Sequence, residues 1–359
     1  MVAERDHPLE QARALAREAL ATWRGAEPDR AIDACDHALA LLLPVGPSDA
    51  LADVLRWKGS VLRDRGNHSA ASDLYAQSLA VADSIGYKPG RAHALNCLGT
   101  VAQYRGDLTA AERWYGEAAR LAHRLGDRRL SGLVQQNLGV VAEWQGRPDE
   151  ALAHFRLALA AFETEEQQDA VLWVLNNLGV LYTREAAYHR AEDVLERALR
   201  LSRELKDMAS EAFVEENRAA LFLATNKPDL AEAAAMRAFT IAEKRRDNTR
   251  RAAALRLLAR VARVRDRASA YAISLLDRAL VLCQLGEDIQ LRIEILCELG
   301  DAYRDSNEVV KAREAWRRAL ELSRMAGFDG MTAGLTTRLR SGLGDRAART
   351  SGATTELTA

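Results

Sequence analysis

The stretch Leu98-Gly99-Thr100-Val101-Ala102-Gln103-Tyr104-Arg105-Gly106-Asp107-Leu108-Thr109-Ala110-Ala111-Glu112-Arg113-Trp114-Tyr115-Gly116-Glu117-Ala118 decides the fold. Gly106, between Arg105 and Asp107, is a turn signal, and it separates two runs with helical character. The segment therefore reads helix, tight turn, helix. Forty residues on, the pattern returns as Leu138-Gly139, Gly146, Ala151, Phe155 and Ala158.

Working outward, alanine recurs eight times, at Ala31, Ala71, Ala111, Ala151, Ala191, Ala231, Ala272 and Ala312. Seven residues after each comes a second small residue: Ala38, Ser78, Ala118, Ala158, Ala198, Ala238, Ala279 and Ala319. Upstream, one equivalent place holds Gly59, Gly99, Gly139, Gly179 and Gly300, with Ala19, Ala219 and Ala259 in the other repeats. Small residues at fixed offsets mean two helices that cross too closely for a larger side chain. Turn signals stand between them, as in Arg65-Gly66-Asn67, Gln145-Gly146-Arg147-Pro148-Asp149 and Asn226-Lys227-Pro228-Asp229.

These residues resemble the tetratricopeptide repeat, whose pattern is a Leu-Gly pair in helix A, a turn glycine, then alanine, an aromatic and alanine in helix B. The resemblance covers roughly residues 9 to 326, weakest in the first and seventh repeats. The usual repeat is about 34 residues. The spacing of about 40 here is similar to the longer variant of kinesin light chains, mitotic-spindle adaptors and bacterial peptide-responsive regulators. It implies an all-α, right-handed α-solenoid of eight helix-turn-helix repeats, in which the core lies between neighbouring repeats. Residues 1–8 and most of 327–359, rich in Gly, Thr, Ser and Arg, are expected to be disordered, with one short helix near Thr336 to Ser341.

Composition narrows the function. Formal net charge is −1 and no long apolar run or signal-peptide pattern opens the chain, so a soluble, cytoplasmic protein without a membrane partner is expected. Abundant arginine and alanine look bacterial. Cys35, Cys97, Cys283 and Cys297 lack CxxC or Cys/His spacing and read as reduced, mostly buried thiols. The seven histidines fall at unrelated repeat positions, which argues against metal ligation. There is no phosphate loop after a strand, no HExxH, no paired-carboxylate signature and no nucleophile elbow, so neither catalysis nor a cofactor is expected.

In the family that the chain resembles, helix A lines a concave inner surface and helix B the outer one, which implies where a ligand would sit. The candidates are His93, Asn96, Gln103 and Tyr104 in repeat three, Gln136, Asn137 and Trp144 in repeat four, Trp173, Asn176, Asn177 and Arg184 in repeat five, and Phe213 and Asn217 in repeat six. Asn137, Asn177 and Asn217 lie one repeat apart. An amide carries donors and an acceptor, so such a ladder suits the backbone of an extended peptide, and neighbouring aromatics would supply anchor pockets. The competing use is hydrogen bonding between repeats.

A second constellation is basic. Arg256, Arg260 and Arg263 share one helix stripe and could fork onto carboxylates or phosphates. The next repeat carries Glu294, Glu298, Asp301 and Asp305 at matching spacing, which makes a salt-bridge ladder the better expectation. Nucleic acid is not expected, because it needs an unneutralised stripe with stacking aromatics. The sequence reading is a non-catalytic scaffold for a protein or extended peptide. The alternatives are a regulator that responds to a signalling peptide or small ligand, and a self-assembling protein that forms homo-oligomers through open repeat ends, because Val310 to Arg324 leaves apolar residues where a ninth repeat would stack.

Overall fold

The computed structural model describes residues 10–15, 17–19, 21, 28–65, 67–265, 268–284, 288–325 and 331–340. Their regular structure is entirely helical. Turn residue Gly66 and the segments 1–8 and 341–359 expected to be disordered lie outside them. The helices are α1 (Pro28–Leu42), α2 (Asp49–Asp64), α3 (His68–Ser84), α4 (Lys88–Tyr104), α5 (Leu108–Leu125), α6 (Arg128–Trp144), α7 (Pro148–Thr164), α8 (Gln168–Arg184), α9 (Tyr188–Glu204), α10 (Met208–Ala224), α11 (Pro228–Lys244), α12 (Asn248–Arg265), α13 (Ser269–Gln284), α14 (Ile289–Asp305) and α15 (Val309–Met325), followed by α16 over 331–340. Even-numbered helices from α2 to α14 open a repeat, and the next odd-numbered helix closes it. The chain forms two compact units, residues 1–174 and 175–359.

In the first unit the pairing depends on a ring against bare backbone. A methyl group added at Gly59 would lie 2.7 Å from the Tyr75 ring, and at Gly99 or Gly139 it would lie 2.6 Å from Tyr115 or Phe155. No side chain fits there, so glycine at that place follows from the aromatic sixteen residues later. All three rings are fully buried. The second unit uses the same crossing with Leu195 against Gly179 and Trp316 against Gly300. Where the glycine becomes Ala219, the large partner becomes Ala235, and both are buried in one cluster. Trp114 is half-buried beneath the Arg113 guanidinium, 4.7 Å from its ring.

The turns repeat every twenty residues. A left-handed backbone conformation occurs at Gly86, Gly106, Gly126 and Gly146, then at Glu166, Ala186, Lys206, Asn226 and Arg246. Each closes a helix by returning two N–H groups to its last turn, as where Gly106 donates to Gln103 O at 2.9 Å and Asp107 to Ala102 O at 3.0 Å. The next residue or two starts the following helix. Asp107, Asp127, Asp207 and Asp288 cap through their carboxylates, and Pro148 and Pro228 occupy first-turn positions whose N–H would go unused.

The far end differs from expectation. The short helix near Thr336 is already helical at residue 331, where the described residues resume, and packs on the last repeat. Leu335 is 2% exposed within that cluster, Met331 and Leu339 flank it, Thr332 bonds Ser323 at 2.8 Å, and Arg338 lies 3.6 Å from Asp301. The helix α16 thus covers part of the last repeat, while Val310 and Met325 of α15 stay 77% and 84% exposed. Its outward residues, Ala333, Gly334, Thr337 and Arg340, are small or polar.

Candidate binding faces on the first helices

In the first unit the candidates lie along α4 and α6, which are neighbours. His93, Asn96 and Gln103 are half-buried on α4, as are Gln136, Asn137 and Trp144 on α6. Asn137 Nδ2 donates to Asn96 Oδ1 at 3.0 Å. Gln103 accepts from the Tyr115 hydroxyl at 3.0 Å, which places its amide in the helix-pair joint. Burial, reinforced by Arg56, holds His93 below the usual imidazole range, so it is neutral there. Tyr104 is 53% exposed and stacks on His68, with ring centroids 5.0 Å apart. Trp173 presents 39% of its surface. What remains open is an aromatic and amide surface with little charge.

In the second unit Asn176 is fully buried and accepts from Asn217 at 2.8 Å. Asn177 is half-buried and Arg184 exposed. The structure therefore does not connect Asn137, Asn177 and Asn217 as successive rungs; Asn96–Asn137 and Asn176–Asn217 are the bonded pairs. The reason is register: adjacent first helices meet with an offset of 41 residues, so equivalent residues pass one another. Phe213 is half-buried under the Arg250 guanidinium, 4.1 Å from its ring. That stack was not legible, because Arg250 belongs to the first turn of the following helix.

The arginine stripe is matched by carboxylates. Arg256 reaches Glu298 at 2.8 Å and Glu294 at 3.2 Å, Arg260 Nε lies 3.9 Å from Glu298, and Arg263 reaches Asp305 at 2.6 Å. Burial works against the Arg256 cation, but Glu294 and Glu298 outweigh it and hold the guanidinium firmly charged. Burial also pushes Glu298 up, against the pull of Arg256 and Arg260. Asp301 lies 3.7 Å from Arg304. A phosphate or carboxylate arriving at this stripe would have to displace these acids. One residue further round α10, the fully buried Glu215 is held by Arg218 and Arg237 at 2.8 Å and by Arg203 at 3.6 Å.

The thiols are free, and burial pushes Cys35, Cys283 and Cys297 up to about 11, away from reactive thiolates. No described helix is long and apolar enough to cross a membrane.

No curated protein matches the chain. Among solved structures, the Rap conjugation gene regulator of plasmid pLS20, in complex with the Phr* peptide, is similar over 77% of this chain and 74% of its own, with 14% identity and a TM-score of 0.64. Aspartyl phosphate phosphatase F from Bacillus subtilis is similar over 90% of this chain and 73% of its own, with 14% identity and a TM-score of 0.57. A tetratricopeptide repeat protein from Parabacteroides merdae is similar over 79% and 98%, with 18% identity and a TM-score of 0.52. At such identities the likeness is one of fold. The tetratricopeptide-repeat family pattern matches residues 48–124, 90–164 and 128–204, so that stretch consists of tetratricopeptide repeats, and the same helix pairing continues on both sides of it.

Proposed function

We propose that this protein is a non-catalytic scaffold that grips an extended protein segment on the exposed face of its first helices. The observation that carries the reading is the surface of α4, α6 and the start of α8, where Gln136, Trp144 and Trp173 stay partly open while Asn96 and Asn137 bond each other. Half-buried aromatics anchor apolar side chains at low entropic cost, and amides beside them satisfy backbone N–H and C=O groups. Phage-displayed linear peptides selected on the intact protein test this, with a Gln136→Ala, Trp144→Ala, Trp173→Ala variant of equal helicity as comparison. Loss of selected binders in the variant supports the reading. Equal binding moves the site to the second helices.

A second reading, a regulator that responds to a peptide signal, is favoured by the fold shared with a Rap regulator whose structure contains a peptide. Under it, a selected peptide would change the capture of a separate protein client. If peptide and client compete for the same residues, the plain scaffold reading holds.

A further inference from the structure

The first helices of successive repeats meet by one register rule. At three junctions the residue three places before the small residue of one repeat bonds the residue two places before the small residue of the next. Thus Asn96 meets Asn137 at 3.0 Å, Asn176 meets Asn217 at 2.8 Å, and Arg256 meets Glu298 at 2.8 Å. Between the sixth and seventh repeats the same rule sets Glu216 against Leu257, a buried apolar residue.

Glu216 is therefore a carboxylate without its lateral partner. It is 6% exposed, and its Oε1 is buried with no hydrogen bond. Its Oε2 accepts from Arg250 Nη1 at 3.0 Å. Arg250 reaches back from the first turn of α12, where its own N–H is held by Asp247 at 3.0 Å, and its guanidinium covers the Phe213 ring. Arg256, farther along α12, and Asp247, before it, also act on Glu216 electrostatically. The guanidiniums of Arg203, Arg237 and Arg218 reach α10 from α9, α11 and α10 itself, and bind Glu215 instead. On the side of α8 the contact to α10 is the neutral Asn176.

We propose that the junction between the sixth and seventh repeats is a proton-operated joint, in which ionised Glu216 clasps Arg250 and ties α12 to α10, and protonated Glu216 releases it. The proton goes onto the carboxylate while the guanidinium keeps its charge, so the clasp loses its charge-assisted hydrogen bond. Burial pushes Glu216 up to about 7, against the pull of Arg250, which sets the working range near neutrality. Linkage then runs opposite to the clasp. Because the folded-state value lies above the ordinary 4.5, Glu216 favours the folded state most at acid pH, and that contribution is lost as pH rises through about 7. The local tie strengthens over the same interval.

Protection of the Arg251 and Ala252 amides against hydrogen exchange, corrected for the intrinsic rate and followed from about pH 5.5 to 8.5, tests the joint across the range where a raised carboxyl titrates. In the wild type, protection is expected to rise several-fold with a midpoint near 7, and Glu216→Gln is expected to stay at the acid level. Leu257→Asn restores the missing rung, and a donor to Oε1 is expected to move the midpoint down by about one unit. A flat wild-type profile overturns the proposal, as does an unchanged step in Glu216→Gln. Should that variant not fold, a carbon-13 titration of the Glu216 carboxyl decides, since an ordinary glutamate midpoint overturns the proposal equally.

Discussion

The turns up to Gly146 and those from Glu166 onward have one geometry and two chemistries. Gly86, Gly106, Gly126 and Gly146 hold the left-handed position in the first group; Glu166, Ala186, Lys206, Asn226, Arg246 and Asn307 hold it in the second, at φ between 53° and 63°. An L-residue there costs roughly 1–2 kcal/mol, and only asparagine lessens this by local hydrogen bonding. The later turns are therefore held by the helix pairs they join. The first-helix rows also change along the chain, though farther on: amides bond amides at Asn96–Asn137 and Asn176–Asn217, whereas guanidiniums bond carboxylates at Arg256–Glu298 and Arg263–Asp305. Helix pairing is common to both regions, and the means of closing turns and linking repeats can change around it.

If pairing is the invariant, breaking it should have the largest effect in either region. Phe155→Ala is expected to cost about 3–5 kcal/mol and Leu195→Ala about 2–5 kcal/mol, read from urea unfolding. The sequence of repeat six supplies the matching test, because Ala235 there faces Ala219. Adding Gly139→Ala to Phe155→Ala should recover part of the loss, although Gly139→Ala alone overpacks the ring and costs about 1–3 kcal/mol. Additive losses in the double variant would show that the two positions do not share a volume.

This invariance explains what was legible in the sequence. Glycine opposite an aromatic and the alanines that follow are dictated by close packing, so Gly99 with Tyr115 and Gly300 with Trp316 could be read from spacing. The described turns centred on residues 166, 186, 206, 226, 246 and 307 carry no glycine, and apart from Asn226 and Asn307 nothing in Glu166, Ala186, Lys206 or Arg246 signals a left-handed backbone. The salt-bridge row could be anticipated because charge and spacing both matched between repeats seven and eight. Bonding between the asparagines of neighbouring repeats was foreseen as an alternative, but which ones pair was not, since their offset of 41 residues depends on how neighbouring helices slide. The start of α16 was placed too late because its apolar stripe is only three residues, Met331, Leu335 and Leu339, spaced by four among Gly, Thr and Arg.

A second break concerns the rows. Arg256 is 18% exposed, and Glu298→Ala would leave it with Glu294 alone. Loss of one partner from a fully buried pair costs about 3–5 kcal/mol, and with Glu294 remaining, about 2–3 kcal/mol is expected. Replacing the whole group, as Arg256→Met with Glu294→Leu and Glu298→Leu, should be nearly neutral, since burying ions repays little. A triple variant as unstable as Glu298→Ala would mean that the row holds the repeats together by charge.

The turn comparison can be sharpened by exchange. Ala186→Gly removes a left-handed alanine and is expected to gain about 1 kcal/mol, and Gly106→Ala to lose about 1 kcal/mol. Asn226→Gly should change stability by only a few tenths of a kcal/mol, because asparagine already tolerates the conformation. The three midpoints, measured in one denaturant series, rank the turns directly. Equal effects at Ala186 and Asn226 would show that side-chain contacts at these turns, and not backbone strain, set their cost.

The smallest effect separates amide rows from charged ones. Asn137→Ala removes one partly buried neutral hydrogen bond and is expected to cost about 0.5–1.5 kcal/mol, unchanged between low and high salt because no ion is involved. Asp305→Ala removes a more exposed carboxylate from the row, with Asp305 36% exposed against Arg263 at 18%. It should cost a similar or smaller amount at low salt and still less at molar salt, where screening shortens the reach of charge to about 3 Å. In a double-mutant cycle, Asn96→Ala with Asn137→Ala should therefore give a salt-independent coupling, and Arg263→Ala with Asp305→Ala a coupling that fades. If both fade alike, the Asn96–Asn137 contact owes its strength to the surrounding charges, and the two regions share one way of setting register.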